Sequence, residues 1–311
     1  MDISNGHGLE TIHPEDVLLV CPIEGIYLAA RALLKAGDQI VVPCPAYQSL
    51  FEVGKSIGCT VQMWNFEDKA DTGEIGFNID TLRKLVTSKT KLIVANFPHN
   101  PTGALVSQDE WSELIELCRL HDCYLFSDEM YRGLEHEAGT KLPAACQLYD
   151  NAISLSGVSK TLNLPGLRIG WLVTKNPNIL HALQHLKDYT TICPPAPSEI
   201  LALMGLRQQE AILARNKHTI EVNLAALECF IKRNRSTFEY SKPKAGSTVF
   251  IKVLNEDAYE FSERLVKEAG IMLLPSQVFL DTEKHVNRVR VGVGRKNVPE
   301  ILDRLDEYLS H

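Results

Sequence analysis

No apolar run in the sequence approaches the ~20 residues that a membrane-spanning helix requires. The opening, M-D-I-S-N-G-H-G-L-E, has neither the basic nor the apolar block of a secretory signal. The 8 cysteines are scattered, without a C-x-x-C pair or a Cys/His ligand spacing, which argues against a disulfide framework and against a structural zinc site. Charge of neither sign prevails: 32 basic and 39 acidic residues leave a net charge of −7, so nothing points to nucleic acid or an anionic membrane as partner. Internal repeats and low-complexity linkers are also missing. What remains is the composition of an ordinary soluble globular chain, 45% hydrophobic and 23% charged over 311 residues. That length suggests about two domains, and the cysteine usage suits a reducing, cytoplasmic setting.

Short β-rich runs alternate with amphipathic ones. Val17 to Val20, Gln39 to Val42, Thr60 to Trp64, Lys91 to Asn96, Cys123 to Ser127, Ala152 to Leu155 and Ile169 to Val173 read as strands. Gly25 to Ala36, Asp80 to Val86 and Gln108 to His121 read as helices between them. Such alternation predicts an α/β domain with a largely parallel sheet, and these sheets bind ligands at the carboxyl ends of their strands. After about residue 205 the pattern changes to helix (Glu210 to Arg233), strand (Thr248 to Val253), helix (Tyr259 to Ala269), strand (Asn287 to Val293) and helix (Val298 to Leu309). We therefore expect a large domain over residues 1–205 and a smaller α+β domain over 206–311.

The most informative stretch runs from Asn151 to Val173. A buried strand opens into the small-residue turn Ser156-Gly157-Val158-Ser159, which presents Lys160. A Pro165-Gly166 corner, Arg168 and a second strand follow. A lysine at the mouth of a strand-turn can be desolvated enough to act as a neutral amine, as Schiff-base chemistry requires. Upstream, Asn96-Phe97-Pro98-His99-Asn100-Pro101-Thr102-Gly103 follows a buried strand, its backbone fixed by prolines and a glycine. The strand ending at Ser127 runs into Asp128-Glu129-Met130-Tyr131. Any one of these has a bland alternative: a solvated loop lysine, a good turn, a helix N-cap.

Together, S-K-T-x-x-x-P-G-L-R-x-G-W, N-P-T-G and D-E-M-Y resemble the class I/II aminotransferases, fold type I enzymes that use pyridoxal 5′-phosphate (PLP). The resemblance covers the chain from about Asp16 to its C-terminus. It implies a three-layer α/β fold with a mostly parallel mixed sheet, a smaller C-terminal domain and a homodimer. It also implies transfer of an amino group between an amino acid and a 2-oxo acid. It assigns Lys160 to the Schiff base and to proton transfer, Asp128 to the pyridinium nitrogen, and Asn100 and Tyr131 to the phenolic oxygen. Tyr47 matches the aromatic stacked on the ring. Ser159, Arg168 and the backbone N–H groups of Ile23 and Glu24 face the phosphate. In Asn287-Arg288-Val289-Arg290-Val291-Gly292 the register favours Arg290 as the clamp on the substrate carboxylate. Arg288, on the same face of a strand of period two, remains an alternative.

Departures from the family pattern are expected to matter. In the phosphate-binding turn Pro22 has no N–H to donate and Ile23 no hydroxyl. The position three before the lysine, often serine, is Gly157. Pro275-Ser276-Gln277 replaces the usual P-G-x. Only Met1 to Asp16 precede the first strand, where relatives carry an arm that covers the substrate, so the chain reads as a short or truncated form. The turn Pro22-Ile23-Glu24-Gly25-Ile26 resembles capreomycidine-synthase-like members, which keeps a PLP-dependent lyase or cyclase as an alternative. A catalytically impaired homologue acting as a dimeric interaction protein is the third reading.

Overall fold

The computed structural model describes residues 11–69, 74–279 and 286–310, so the start of the N-terminal segment lies outside the described residues. Strand β1 (Val17–Val20) leads into α1 (Pro22–Leu33). Pro22 occupies the first helical turn, where its missing N–H is no loss. Glu24 reaches back to accept from the Cys21 N–H at 3.2 Å. β2 (Gln39–Cys44), α2 (Ser49–Ile57) and β3 (Thr60–Asn65) follow, then a hairpin of β4 (Glu67–Lys69) and β5 (Glu74–Gly76), α3 (Ile79–Leu85) and β6 (Thr90–Asn96). Helix α4 (Gln108–Leu120) opens with a reciprocal cap: Ser107 accepts from the Glu110 N–H, and the Glu110 carboxylate accepts from the Ser107 N–H. β7 (Tyr124–Asp128), β8 (Ala152–Gly157), β9 (Gly170–Val173), α5 (Pro177–Lys187) and α6 (Ala196–Arg207) complete this part, and the long α7 (Gln209–Arg233) leads out of it.

The seven strands form one sheet in the order β1-β9-β8-β7-β6-β2-β3. All run parallel except β9, which is antiparallel to both neighbours. The sheet is therefore mixed and mostly parallel, as expected. Its register aligns the carboxyl ends of the parallel strands along one edge: Asn96 lies opposite Asp128, Asp128 opposite Leu155, Gly157 opposite Gly170, and Gly170 opposite Val20. Reversal of β9 matters here, because its first residue, rather than its last, lies at that edge. Helices cover both faces. On one side Trp111, Leu114, Leu117 and Leu125 belong to an apolar cluster, and on the other Leu28, Ile40, Phe126 and Leu155 belong to a second.

The remaining strands, β10 (Phe238–Glu239), β11 (Thr248–Val253), β12 (Leu274–Pro275) and β13 (Arg288–Gly292), form a separate sheet in the order β10-β11-β13-β12. Helices α8 (Ala258–Ala269) and α9 (Val298–Leu309) belong to this part. Asp257 caps α8, and Gly270 ends it in the left-handed conformation. The apolar cluster that begins on α1 continues through Leu227 and Phe230 of α7 into Ile251, Val289 and Leu305. The two sheets thus share one core. Helices α2, α5 and α6 and the β4–β5 hairpin were not expected from the sequence. Helix α6 (A-P-S-E-I-L-A-L-M-G-L-R) carries apolar residues all round, and a helix without a polar face has no 3.6-residue signature to read.

Candidate active site

The candidate residues gather at the carboxyl edge of the large sheet. Asp128 ends β7 and is buried. Its Oδ1 accepts from the Met130 N–H at 3.1 Å. Burial pushes its carboxyl up to about 6; Glu129 adds to this, while the Met130 N–H and the Lys160 charge oppose it. Among the described residues no cation pairs with it at contact distance, so it is costly to keep ionised. Lys160 stands on the turn after β8. The residue as a whole is exposed, yet desolvation of its ammonium, followed by repulsion from Arg290, lowers its pKa; Arg168 and Arg295 add smaller contributions, and Asp128 opposes them. Its Nζ lies 5.9 Å from the centroid of the Tyr131 ring. Tyr131 is buried, and burial pushes its phenol up to about 12, so the hydroxyl stays a donor.

Asn100 is buried on the turn after β6. That turn is braced from below by Asn96, which sequence reasoning passed over. Asn96 Oδ1 accepts from the Asn100 N–H at 3.1 Å, and its amide donates to the Asp128 carbonyl at 3.0 Å, tying β6 to β7. Gly103 closes the turn at φ +70°, where a Cβ would lie 2.4 Å from Pro243 Cβ and 2.9 Å from the Ala245 carbonyl. Only glycine fits there, and its carbonyl accepts from the Lys244 and Ala245 N–H groups. The turn is thereby stitched to the segment leading into β11.

That stitching brings Arg290 of β13 to the site: its Nη1 donates to Asn100 Oδ1 at 3.0 Å, and its guanidinium lies 4.9 Å from the Phe279 ring. With Oδ1 taken, the NH2 of Asn100 is the end left to donate. Arg288, which alternation alone could not separate from Arg290, is occupied elsewhere. It is 1% exposed, and it donates to the Phe250 carbonyl at 3.0 Å and to Asp68 at 2.7 Å. Asp68 lies on β4, an element the sequence did not announce. Tyr47, 40% exposed, follows β2 at the same edge and interacts electrostatically with Tyr131 and Arg290.

The other end of the site is built from the N-terminus of α1 and the turns flanking β8 and β9. Arg168, at φ +56°, donates to Cys21 Sγ at 3.3 Å, which holds it against the start of α1. Ser159 is buried, and its Oγ has no hydrogen-bond partner. Glu24 lies in the first turn of α1. Its carboxylate is enclosed by Lys187 at 3.3 Å, by Thr190, and by both the N–H and the hydroxyl of Thr191. Those hydrogen bonds and Lys187 lower its pKa against the desolvation that would raise it. Glu24 therefore brings a charge already neutralised, and its N–H is the only part left to face an anion. Gly157 also has a local reason. A Cβ there would lie 2.9 Å from Gly170 Cα and from the Ile169 carbonyl, and 3.3 Å from Pro22 Cγ. Pro22 and the paired glycines are one packing unit, so the missing serine and the extra proline are a single departure. An orphaned buried hydroxyl, a guanidinium and a helix N-terminus at one end, with a carboxyl and an amine at the other, fit the phosphate, ring nitrogen and aldehyde of PLP.

Comparison with known proteins agrees. The family described as aminotransferase class I and II matches residues 6–305. Capreomycidine synthase from Streptomyces vinaceus is 29% identical over 290 residues, covering 92% of this chain and 70% of that protein. An aspartate aminotransferase from Sulfolobus acidocaldarius is 26% identical over 294 residues, covering 92% and 72%. Among solved structures, a PLP-dependent aminotransferase from Streptococcus suis superposes with a TM-score of 0.87 at 30% identity, covering 97% of this chain and 79% of that one. With α/β architecture and sequence in accord, the chain belongs to the aminotransferase class I and II family and is a PLP-dependent transaminase by its relatives.

Proposed function

We propose that this protein moves an amino group between an amino acid and a 2-oxo acid, with Lys160 as the residue that carries PLP and shuttles the proton. When bound, PLP supplies an aldehyde that condenses with amines and a ring that withdraws electrons from the substrate Cα. Lys160, its pKa lowered by desolvation and by Arg290, is the base that would take the proton from the substrate Cα and deliver it to C4′ of the cofactor. Asp128, ionised at neutral pH, holds a proton on the ring nitrogen. Asn100 through its NH2 and Tyr131 through its hydroxyl donate to the phenolic oxygen, and Tyr47 covers the ring. Ser159, Arg168 and the N–H groups of Ile23 and Glu24 hold the phosphate. Arg290 clamps the substrate carboxylate with two parallel hydrogen bonds. The observation carrying this reading is the convergence of Asp128, Lys160, Asn100 and Arg290, from four separate strands, on one sheet edge.

The test is chemical. Borohydride added to the PLP-loaded protein should fix the cofactor covalently, and peptide mapping should find it on Lys160. A label on another lysine, or none, would overturn the assignment. The match to capreomycidine synthase favours a second reading, a lyase or cyclase with the same cofactor residues. Release of a 2-oxo acid from the donor amino acid separates transamination from that alternative.

The same reading takes residues 1–205 as the cofactor-binding domain and 206–311 as the smaller one, supported by their separate sheets. It takes the working form as a homodimer. Supporting this, Ile200, Leu203 and Met204 of α6 and nearby Tyr189 and Ile192 are all exposed apolar side chains, a surface that a second copy would cover. A cytoplasmic location is supported by the lack of any disulfide among the eight cysteines.

A further inference from the structure

Beside Lys160 and Tyr131 a cavity of about 550 Å³ opens between the two sheets. Among the described residues its charged lining consists of Lys160, Arg290 and Arg295, with no aspartate or glutamate. Within the proposed function, Lys160 and Arg290 already have tasks. Arg295 does not. It lies just past β13, is exposed, and takes part in none of the ion pairs found among the described residues. The loop that carries it is nonetheless fixed. Buried Asn223 of α7 donates one amide hydrogen to the Arg295 carbonyl at 2.6 Å and another to the Val293 carbonyl at 2.8 Å. Arg295 also bears electrostatically on Lys160, as Arg290 does. In that function Lys160 is the residue that carries the cofactor, so Arg290 and Arg295 are the permanent cations facing this cavity, and an entering anion relieves their mutual repulsion. The α-carboxylate of a substrate answers only Arg290. Between the polar groups the wall is apolar, with Leu134, Ile220 and Leu273 among its residues, which suits a methylene chain.

We infer that Arg295 is a specificity-determining residue: it selects substrates whose side chain ends in a second anion, carboxylate or phosphate, and turns away those ending in a cation. This rests on the proposed function for the place of the α-carboxylate. The test uses the PLP-loaded protein and three donors of matched length, 2-aminoadipate, norleucine and lysine, with glutamate and O-phosphoserine distinguishing a carboxylate from a phosphate terminus. Binding without turnover is read by calorimetry with adipate and with hexanoate. The expected order is 2-aminoadipate, then norleucine, then lysine, with adipate bound more tightly than hexanoate. In Arg295→Gln the 2-aminoadipate to norleucine ratio of kcat/KM, and the adipate to hexanoate ratio of affinities, should each fall about 10- to 100-fold, the size of a lost charge-assisted hydrogen bond. Arg295→Glu should shift preference towards lysine. Ratios unchanged in both variants, or norleucine preferred by the parent, would overturn the inference. A protein that converts no donor would count against the proposed function instead, and the adipate comparison would still decide Arg295.

Discussion

Asp128 is the residue at which stability and function pull in opposite directions. Its carboxyl is buried, and its pKa is raised to about 6 from an ordinary value of 3.8. Because the folded value lies above the unfolded one, the cofactor-free native state binds this proton more tightly. The penalty is therefore absent below about pH 4, grows between 4 and 6, and is complete above 6. A shift of about two units corresponds to on the order of 3 kcal/mol. Asp128→Asn keeps an oxygen for the Met130 N–H and removes the charge. The cofactor-free variant should melt higher than the parent at pH 7, with the gap closing as pH falls towards 4. With PLP the order should reverse, because the partner of the ring proton is gone. Transamination should drop about 10²–10³-fold or more, the scale of one uncompensated buried charge. Melting curves with and without PLP at the two pH values, together with initial rates, check all three outcomes. A variant that stays within about tenfold of the parent in rate would show that this carboxylate does not hold the ring proton.

At the scale of elements, the phosphate end depends on how α1 meets β8 and β9. Pro22 packs on Gly157 and Gly170, and a Cβ at Gly170 would lie 2.7 Å from the Ser156 carbonyl and 2.8 Å from Pro22 Cγ. Restoring the serine that relatives often have, as Gly157→Ser, adds a donor on paper. In this chain it forces a Cβ against the β9 backbone. We expect a loss of about 1–3 kcal/mol or more, read as a lower urea midpoint, with no gain in PLP affinity by absorbance titration. A variant as stable as the parent that binds PLP more tightly would show that the helix start can give way. The sequence showed the individual oddities, Pro22 and Gly157, but not that they are one contact across the sheet edge. That pairing depends on β9 running antiparallel, which strand patterning does not reveal.

For the whole molecule, the open question is what covers α6. Ile200, Leu203 and Met204 are between 47% and 61% exposed, and a helix apolar on every side is seldom left in water. The surface adjoins the active site through Glu24, whose carboxylate on α1 is enclosed by Lys187, Thr190 and Thr191 next to exposed Tyr189 and Ile192. Met204→Glu should shift the protein from dimer towards monomer, measured by light scattering across a dilution series. A parent that is already monomeric at micromolar concentration would refute the dimer, and a variant that dimerises as tightly as the parent would place the interface elsewhere.

Much of the site was legible because its residues follow strand ends in a fixed order. Asn100, Asp128 and Lys160 each stand at or just beyond a run of buried β-formers, and a parallel sheet brings such ends to one edge whatever the loops do; Arg168 reaches it from the start of the antiparallel β9. The residue types carried the chemistry: an amine, a carboxylate, an amide and a guanidinium have few substitutes for these tasks. What the tertiary structure alone decided were choices between chemically equal residues. Arg288 and Arg290 share a strand face, and Asp68 and the Phe250 carbonyl, 220 and 38 residues away in sequence, engage the first while the second reaches Asn100. Nothing in the sequence pairs Glu24 with Lys187, Thr190 and Thr191, which enclose its carboxylate in the fold. Arg295 carried no motif at all. Pairing across the fold depends on which long-range neighbour arrives, and one strand's pattern of apolar and polar residues holds no record of that.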